Sequence, residues 1–158
     1  MNAYDRYAPA LLRKAQRLLG TTVDAEDVVH GLFVDLLQKS EATPDLPYLY
    51  RAVTNRCLTF LRDRGNRARL LAQHEPALRG PVRTRLDDRA VGLDLLSKLV
   101  ERLDEAHVET LVYRFYDDLS LEEIAELMRV SRKTVGNRLA RIQEAAAAFE
   151  TPRPKGES

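Results

Sequence analysis

The sequence predicts an all-α fold: two small helical domains joined by a linker, the C-terminal one containing a helix-turn-helix. Three observations carry this. Apolar residues recur at helical spacing in both halves of the chain, and no strand-type alternation stands out. The pattern weakens from Asn66 to about Ala90, where His74-Glu75-Pro76 and Gly80-Pro81 break any long helix. Near the end, two apolar-striped segments, each opened by a serine, are joined by a tight turn. The predicted organisation is a first domain over 1–67, a linker over 68–90, a second domain over 91–150 and a frayed tail over 151–158.

The first helix runs from Tyr4 to Leu19. Ala8, Leu11, Leu12, Ala15, Leu18 and Leu19 share a face, and Gly20 is a natural stop. In the second, Asp24 is the expected cap, and Ala25, Val28, Val29, Leu32, Phe33, Leu36 and Leu37 form an apolar stripe. Lys39 to Pro47 is a loop. The third helix runs from about Tyr48 to Arg64, with Leu49, Tyr50, Val53, Cys57, Phe60 and Leu61 inward. Gly65-Asn66 is expected to end it, and Leu70 to Gln73 to form a short turn.

In the second domain, Leu95, Leu96, Leu99, Val100 and Leu103 make one stripe. Asp104 caps a helix carrying Val108, Leu111, Val112, Phe115 and Tyr116. Ser120 and Glu123 have the spacing of a capping box ahead of Ile124, Ala125 and Met128. Ser131 caps the last helix, in which Val135, Leu139 and Ile142 face in.

Composition removes several classes of function. The 158 residues are 44% hydrophobic and 31% charged, which suits a folded chain. Trp is absent, so the core must be mostly Leu, Val and Ala, which favours helices. Cys57 is the single cysteine, so no internal disulfide forms. His30, Cys57, His74 and His107 lack metal-ligand spacing, and no metal or cofactor is expected. No Ser/His/Asp set, Gly-rich phosphate loop or carboxylate pair stands out, so an enzyme is not expected. The opening Met1-Asn2-Ala3-Tyr4-Asp5 has no signal-peptide character, and no apolar run reaches membrane length. The expected location is cytoplasmic, without membrane insertion.

The net charge of +1 conceals segregation. The second helix carries Asp24, Glu26, Asp27 and Asp35, which phosphates would repel and a basic protein partner would suit. The third carries Arg51, Arg56, Arg62 and Arg64 against Asp63. The last carries Arg132, Lys133, Arg138 and Arg141 before its first acid, Glu144. Any one such run is ordinary on a solvated helix. Their order fits a chain that holds another protein and DNA together.

In a helix-turn-helix the second helix enters the major groove and its first residues reach base edges. Arg132, Lys133, Gly136 and Asn137 occupy those positions, where Arg can pair with guanine and Asn with adenine. Arg138 and Arg141 are placed for phosphates, and Ser131 and Thr134 lie at the start of the same helix. Arg129 stands in the turn where glycine is common. Gly136 inside the helix costs about 1 kcal/mol relative to Ala.

These residues also carry a resemblance. Asp24-Ala25-Glu26-Asp27-Val28-Val29-His30-Gly31-Leu32-Phe33 resembles the core-binding helix of sigma-70-type factors. Pro47-Tyr48-Leu49-Tyr50-Arg51-Ala52-Val53-Thr54-Asn55-Arg56 resembles the helix that handles the −10 promoter element. Leu119-Ser120-Leu121-Glu122-Glu123-Ile124-Ala125-Glu126, with Val130-Ser131-Arg132-Lys133-Thr134-Val135, resembles the domain that binds the −35 element. Their order is similar to that of the extracytoplasmic-function group, which keeps two domains. The resemblance covers nearly the whole chain apart from the linker and tail.

The resemblance implies a sigma factor that binds core RNA polymerase and directs promoter-specific initiation. It implies docking of Asp24, Asp27, His30, Gly31 and Val34 on the clamp helices of the polymerase β′ subunit. It implies −10 contacts by Tyr48, Arg51, Asn55, Arg56 and Arg62, with Tyr48 open to either packing or base stacking. It implies −35 contacts by Ser131, Arg132, Lys133, Thr134, Gly136, Asn137, Arg138 and Arg141. The region around Val112, Phe115 and Tyr116 would meet the flap of the β subunit. An anti-sigma factor as regulatory partner and a free monomer follow as well. Gly31 departs from the family's usual acidic residue, His30 from its frequent Gln and Gly136 from its common Lys. The linker is basic through Arg64, Arg67, Arg69, Arg79, Arg83, Arg85 and Arg89. A different reading of the same motifs is a helix-turn-helix regulator that binds its own operator as a dimer, with residues 1–67 for dimerisation or sensing.

Overall fold

The computed structural model describes residues 3–39, 44–74 and 92–150, and every element in them is helical. These are α1 (Ala3–Leu19), α2 (Thr22–Lys39), α3 (Leu46–His74), α4 (Leu93–Arg102), α5 (Glu105–Leu111), a π-helical turn (Val112–Tyr116), α6 (Leu121–Met128) and α7 (Arg132–Glu150). They fall into two units, Met1–Phe60 and Leu61–Ser158. The expected tail over 151–158, residues 40–43 of the first loop and residues 75–90 of the linker lie outside the described residues.

In the first unit α1 and α2 pack along each other. Gly20 turns the chain between them with φ 86, a conformation open to glycine, and its N–H donates to the Gln16 carbonyl at 2.9 Å. The cap of α2 is not Asp24. Thr21 Oγ1 accepts from the Asp24 N–H at 3.2 Å, so Asp24 sits inside the first turn. There its charge faces the positive end of the helix dipole.

The core takes Leu11, Ala15 and Leu18 from α1, Ala25, Val29 and Leu32 from α2, and Leu49, Val53 and Cys57 from α3. Tyr50 and Phe60, expected inward, are half-buried. Leu36 is half-buried as well, and Leu37 is 79% exposed, so the apolar face of α2 ends at Phe33. Tyr4 meets Phe33 edge-on at 5.1 Å.

A polar core residue was not foreseen. Lys14 is 1% exposed, and its ammonium stands 4.3 Å from the centre of the Tyr50 ring. A desolvated cation over an aromatic face gains about 2 kcal/mol. That offsets part of the several kcal/mol that burial of an ion costs.

α3 departs from expectation at both ends. It starts earlier, because Asp45 Oδ1 accepts from the Tyr48 N–H at 3.1 Å and Pro47 is tolerated in a first turn. It also runs through Gly65-Asn66 to His74, so the expected turn at Leu70–Gln73 is helix. At Gly65 a Cβ would lie 2.5 Å from Glu101 Oε2, the end of an exposed, flexible side chain that can move aside.

In the second unit α7 packs against α4, α5 and α6. Leu95, Leu96, Leu99, Val100 and Leu103 are all buried, as are Val108, Leu111, Ile124, Met128, Val135 and Ile142. Leu139 is half-buried. Asp104 caps α5, accepting from the His107 N–H at 2.9 Å, with His107 Nδ1 2.7 Å away. The His107 side-chain bond, then its backbone bond, hold the Asp104 carboxyl below the usual carboxylate range.

After α5 the helix widens. The Asp117 N–H donates to the Val112 carbonyl at 3.1 Å, a five-residue step. This turn puts Tyr113 fully inside, where its hydroxyl donates to the buried Glu109 at 2.6 Å, and leaves Phe115 and Tyr116 half-buried.

Cys57 gives a direct test of the first core. Burial pushes its thiol from 9.0 up to about 12, against the pull of Lys14. The folded chain at pH 9 should leave Cys57 unalkylated by iodoacetamide, and the denatured chain should react fully. A raised folded pKa gives stability that is complete below the unfolded value. Stability should therefore fall as pH rises from about 9 to about 12, and Cys57→Ala should remove that component of the slope in denaturant titrations.

Candidate nucleic-acid interface

The second unit builds a helix-turn-helix from α6 and α7. Ser120 and Glu123 form the expected capping box: Ser120 Oγ accepts from the Glu123 N–H at 3.0 Å, and Glu123 Oε1 accepts from the Ser120 N–H at 2.8 Å. Arg129 ends α6 in the left-handed region, at φ 61. That costs a side-chain-bearing residue roughly 1–2 kcal/mol. Two bonds to the Ala125 carbonyl close the turn, from the Arg129 N–H and from the Val130 N–H at 3.0 Å. Ser131 then caps α7, accepting from the Thr134 N–H at 3.0 Å, and its hydroxyl donates to Thr134 Oγ1 at 3.0 Å.

Burial of Val135, Ile142 and Ala146 fixes the phase of α7. Arg132, Lys133, Asn137 and Arg141 are thereby exposed. Arg132 pairs with Glu122 at 3.5 Å and Arg141 with Glu144 at 3.9 Å. Arg138 is half-buried, and its Nη1 donates to Met128 Sδ at 3.8 Å. Gly136 has open space where a Cβ would be. All eight residues expected at this site thus lie on α7 or at its cap. Glu122 was missed, because ten residues and a turn separate it from Arg132 and no periodicity links them.

In the first unit the residues expected to meet a protein partner divide. Asp27, His30 and Val34 are exposed; Asp24 and Gly31 are half-buried on an adjoining stripe of α2. Val23 and Leu37 are also exposed. Val23, Asp27, His30, Val34 and Leu37 recur at alternating steps of four and three, which aligns them in one seam.

On α3, Tyr48 is 52% exposed, and Arg51, Asn55 and Arg56 are half-buried. Tyr48, Arg51 and Asn55 follow helical spacing along one face. Arg56 is ion-paired with Asp35 of α2 and lies against Gly31, whose Cβ would meet Arg56 Nη1 at 3.5 Å. Arg62 belongs to the second unit. Its Nη2 donates to the Val100 carbonyl at 3.3 Å, and its Nη1 is 3.8 Å from Glu105. Among the described residues no group of His, Cys, Asp and Glu is placed to hold a metal ion, and no helix is long and apolar enough to cross a membrane.

A helix-turn-helix with a basic outer face, preceded by a unit with an acidic, partly apolar seam, suits a protein that reads DNA in the company of another protein. Residues 3–67 match the family Sigma-70 region 2, and residues 93–145 match Sigma-70, region 4. The chain belongs to the sigma-70 family of RNA polymerase sigma factors. Region 4 follows region 2 with only residues 68–92 between, the order of the extracytoplasmic-function type. A search of curated proteins finds no match. Among solved structures, the chain is similar to the sigma factor RpoE, crystallised in complex with the anti-sigma factor NepR from Bartonella quintana. Identity is 18%, coverage is 95% of this chain and 96% of that one, and the TM-score is 0.48. As a sigma factor the chain serves transcription initiation, its two regions recognise promoter elements, and it is not an enzyme. This membership replaces the reading as a regulator on its own operator.

The two glycines on α2 and α7 are open to test. A Cβ fits at Gly31 in ordinary contact and at Gly136 without contact. Gly31→Ala and Gly136→Ala should each raise stability by about 0.5–1 kcal/mol in urea titrations of the full chain.

Proposed function

We propose that the seam of α2 is the surface that docks on core RNA polymerase, on the paired clamp helices of β′. What carries this reading is the spacing of Val23, Asp27, His30, Val34 and Leu37, all exposed. Alternating steps of three and four are the pattern by which one helix lies along another. The seam is about 21 Å long. Its rim is acidic through Glu26 and Asp27, which suits a basic partner. Leu37, 79% exposed, has no role in the core of its own unit.

In the same proposal Tyr48, Arg51 and Asn55 meet the −10 strand, with Tyr48 as the stacking surface. Arg56 joins them by leaving or sharing its ion pair with Asp35, and Arg62 by leaving its bond to Val100. The first turns of α7 read the −35 element through Arg132, Lys133 and Asn137, with Gly136 admitting close approach. Ser131, Thr134, Arg138 and Arg141 line the same helix toward the phosphates. The π-helical turn and its flank meet the β flap. The domain limits of 1–67 and 91–150 belong to this reading, as do a cytoplasmic location and a monomeric free state. An anti-sigma factor is the further partner. An exposed apolar seam needs cover when polymerase is absent.

The test is co-elution with bacterial core polymerase. Asp27→Lys/Leu37→Glu should keep its helical content and weaken core binding about thirtyfold or more, the scale of one central interface residue. Unchanged co-elution of this variant would overturn the seam as the docking surface.

A further inference from the structure

The polar side chains of α7 are not equally available. Ser131 and Thr134 are bonded to each other, Arg138 bonds Met128 Sδ, and Arg141 pairs with Glu144 within its own helix. Lys133 and Asn137 are exposed one turn apart, and among the described residues neither has a side-chain partner. Arg132 differs from all of these: it is exposed, and its partner is a carboxylate of the other helix of the motif.

The geometry of that pair is specific. Glu122 stands in the first turn of α6, and its Oε2 lies 3.5 Å from the Nε of Arg132. Both side chains are about two-thirds exposed, so the pair contributes little to the fold. A guanidinium presents its donors in a planar fork. An arginine held at Nε keeps its terminal nitrogens free. Such a pair of nitrogens makes the bidentate contact to O6 and N7 of guanine.

We infer that Glu122 is a positioning residue: it steadies Arg132 through Nε so that the arginine reads a guanine of the −35 element. This rests on the reading of α7 as the −35 helix. A carboxylate placed against a basic groove-facing helix then has a reason. It lowers attraction to any DNA, because it repels phosphates. It raises selectivity, because it limits the directions in which Arg132 points. A carboxylate that only repelled DNA would not act through Arg132, and one that only stabilised α6 would act on both DNA properties alike.

The experiment uses holoenzyme reconstituted with core polymerase and a promoter library randomised over the −35 element, with transcripts sequenced. Wild type, E122Q, R132A and the double variant are compared, and their thermal unfolding is recorded. R132A should lower guanine preference at one position on the order of 5- to 100-fold. E122Q should lower it at that same position about twofold to fivefold, the scale of an exposed ion pair. Binding of E122Q to non-promoter DNA should be equal to or tighter than wild type. The double variant should match R132A.

If E122Q leaves guanine preference intact, or lowers it equally in the R132A background, the positioning role is overturned and the −35 reading stands. If R132A itself leaves base preference unchanged, the assignment of the first turn of α7 to base reading fails, and the role of Glu122 fails with it.

Discussion

A side-chain oxygen closes the first turn of five helices: Thr21 for α2, Asp45 for α3, Asp104 for α5, Ser120 for α6 and Ser131 for α7. Each such bond satisfies an N–H that the helix cannot satisfy itself, at about 1 kcal/mol. The larger effect is geometric. A cap fixes the residue at which helical phase begins, and phase decides which side chains the core takes. With leucine, valine and alanine doing most of the filling, that choice settles what is left outside. The seam on α2 and the basic face of α7 are the remainders of two cores.

Much of this was legible. The stripes of α1, α4, α6 and α7 were read from spacing alone, and Asp104, Ser120 and Ser131 were read as caps because each stands directly before a stripe. The end of α2 was not legible. Leu36 and Leu37 continue the chain's apolar run, and hydropathy cannot tell a residue that fills a core from one left exposed. Aspartate favours the cap position, but Thr21, three residues ahead of Asp24, takes it. Gly65-Asn66 has the look of a helix end, yet α3 runs on through it to His74. The π-helical turn left no trace in composition, and its effect was to exchange Tyr113 for Phe115 and Tyr116 in the core.

The helices that carry the expected interface residues were legible, and the two family matches span them. What the sequence withheld was engagement. Arg56 is tied to Asp35, Arg62 to Val100 and Arg132 to Glu122, partners 10 to 38 residues away. A basic residue in a motif states a charge; only its neighbours state whether that charge is held, aimed or free.

The glycines at Gly31 and Gly136 have a consequence for the chain's capacity to change. Both sit inside helices, and both have room for a methyl group. An average substitution destabilises a protein by about 1 kcal/mol. Each glycine therefore holds back about as much stability as one ordinary mutation removes. A chain that filled both positions would tolerate one or two further changes elsewhere before losing its fold. New contacts on α3 or α7 could then arise without unfolding the domain that carries them.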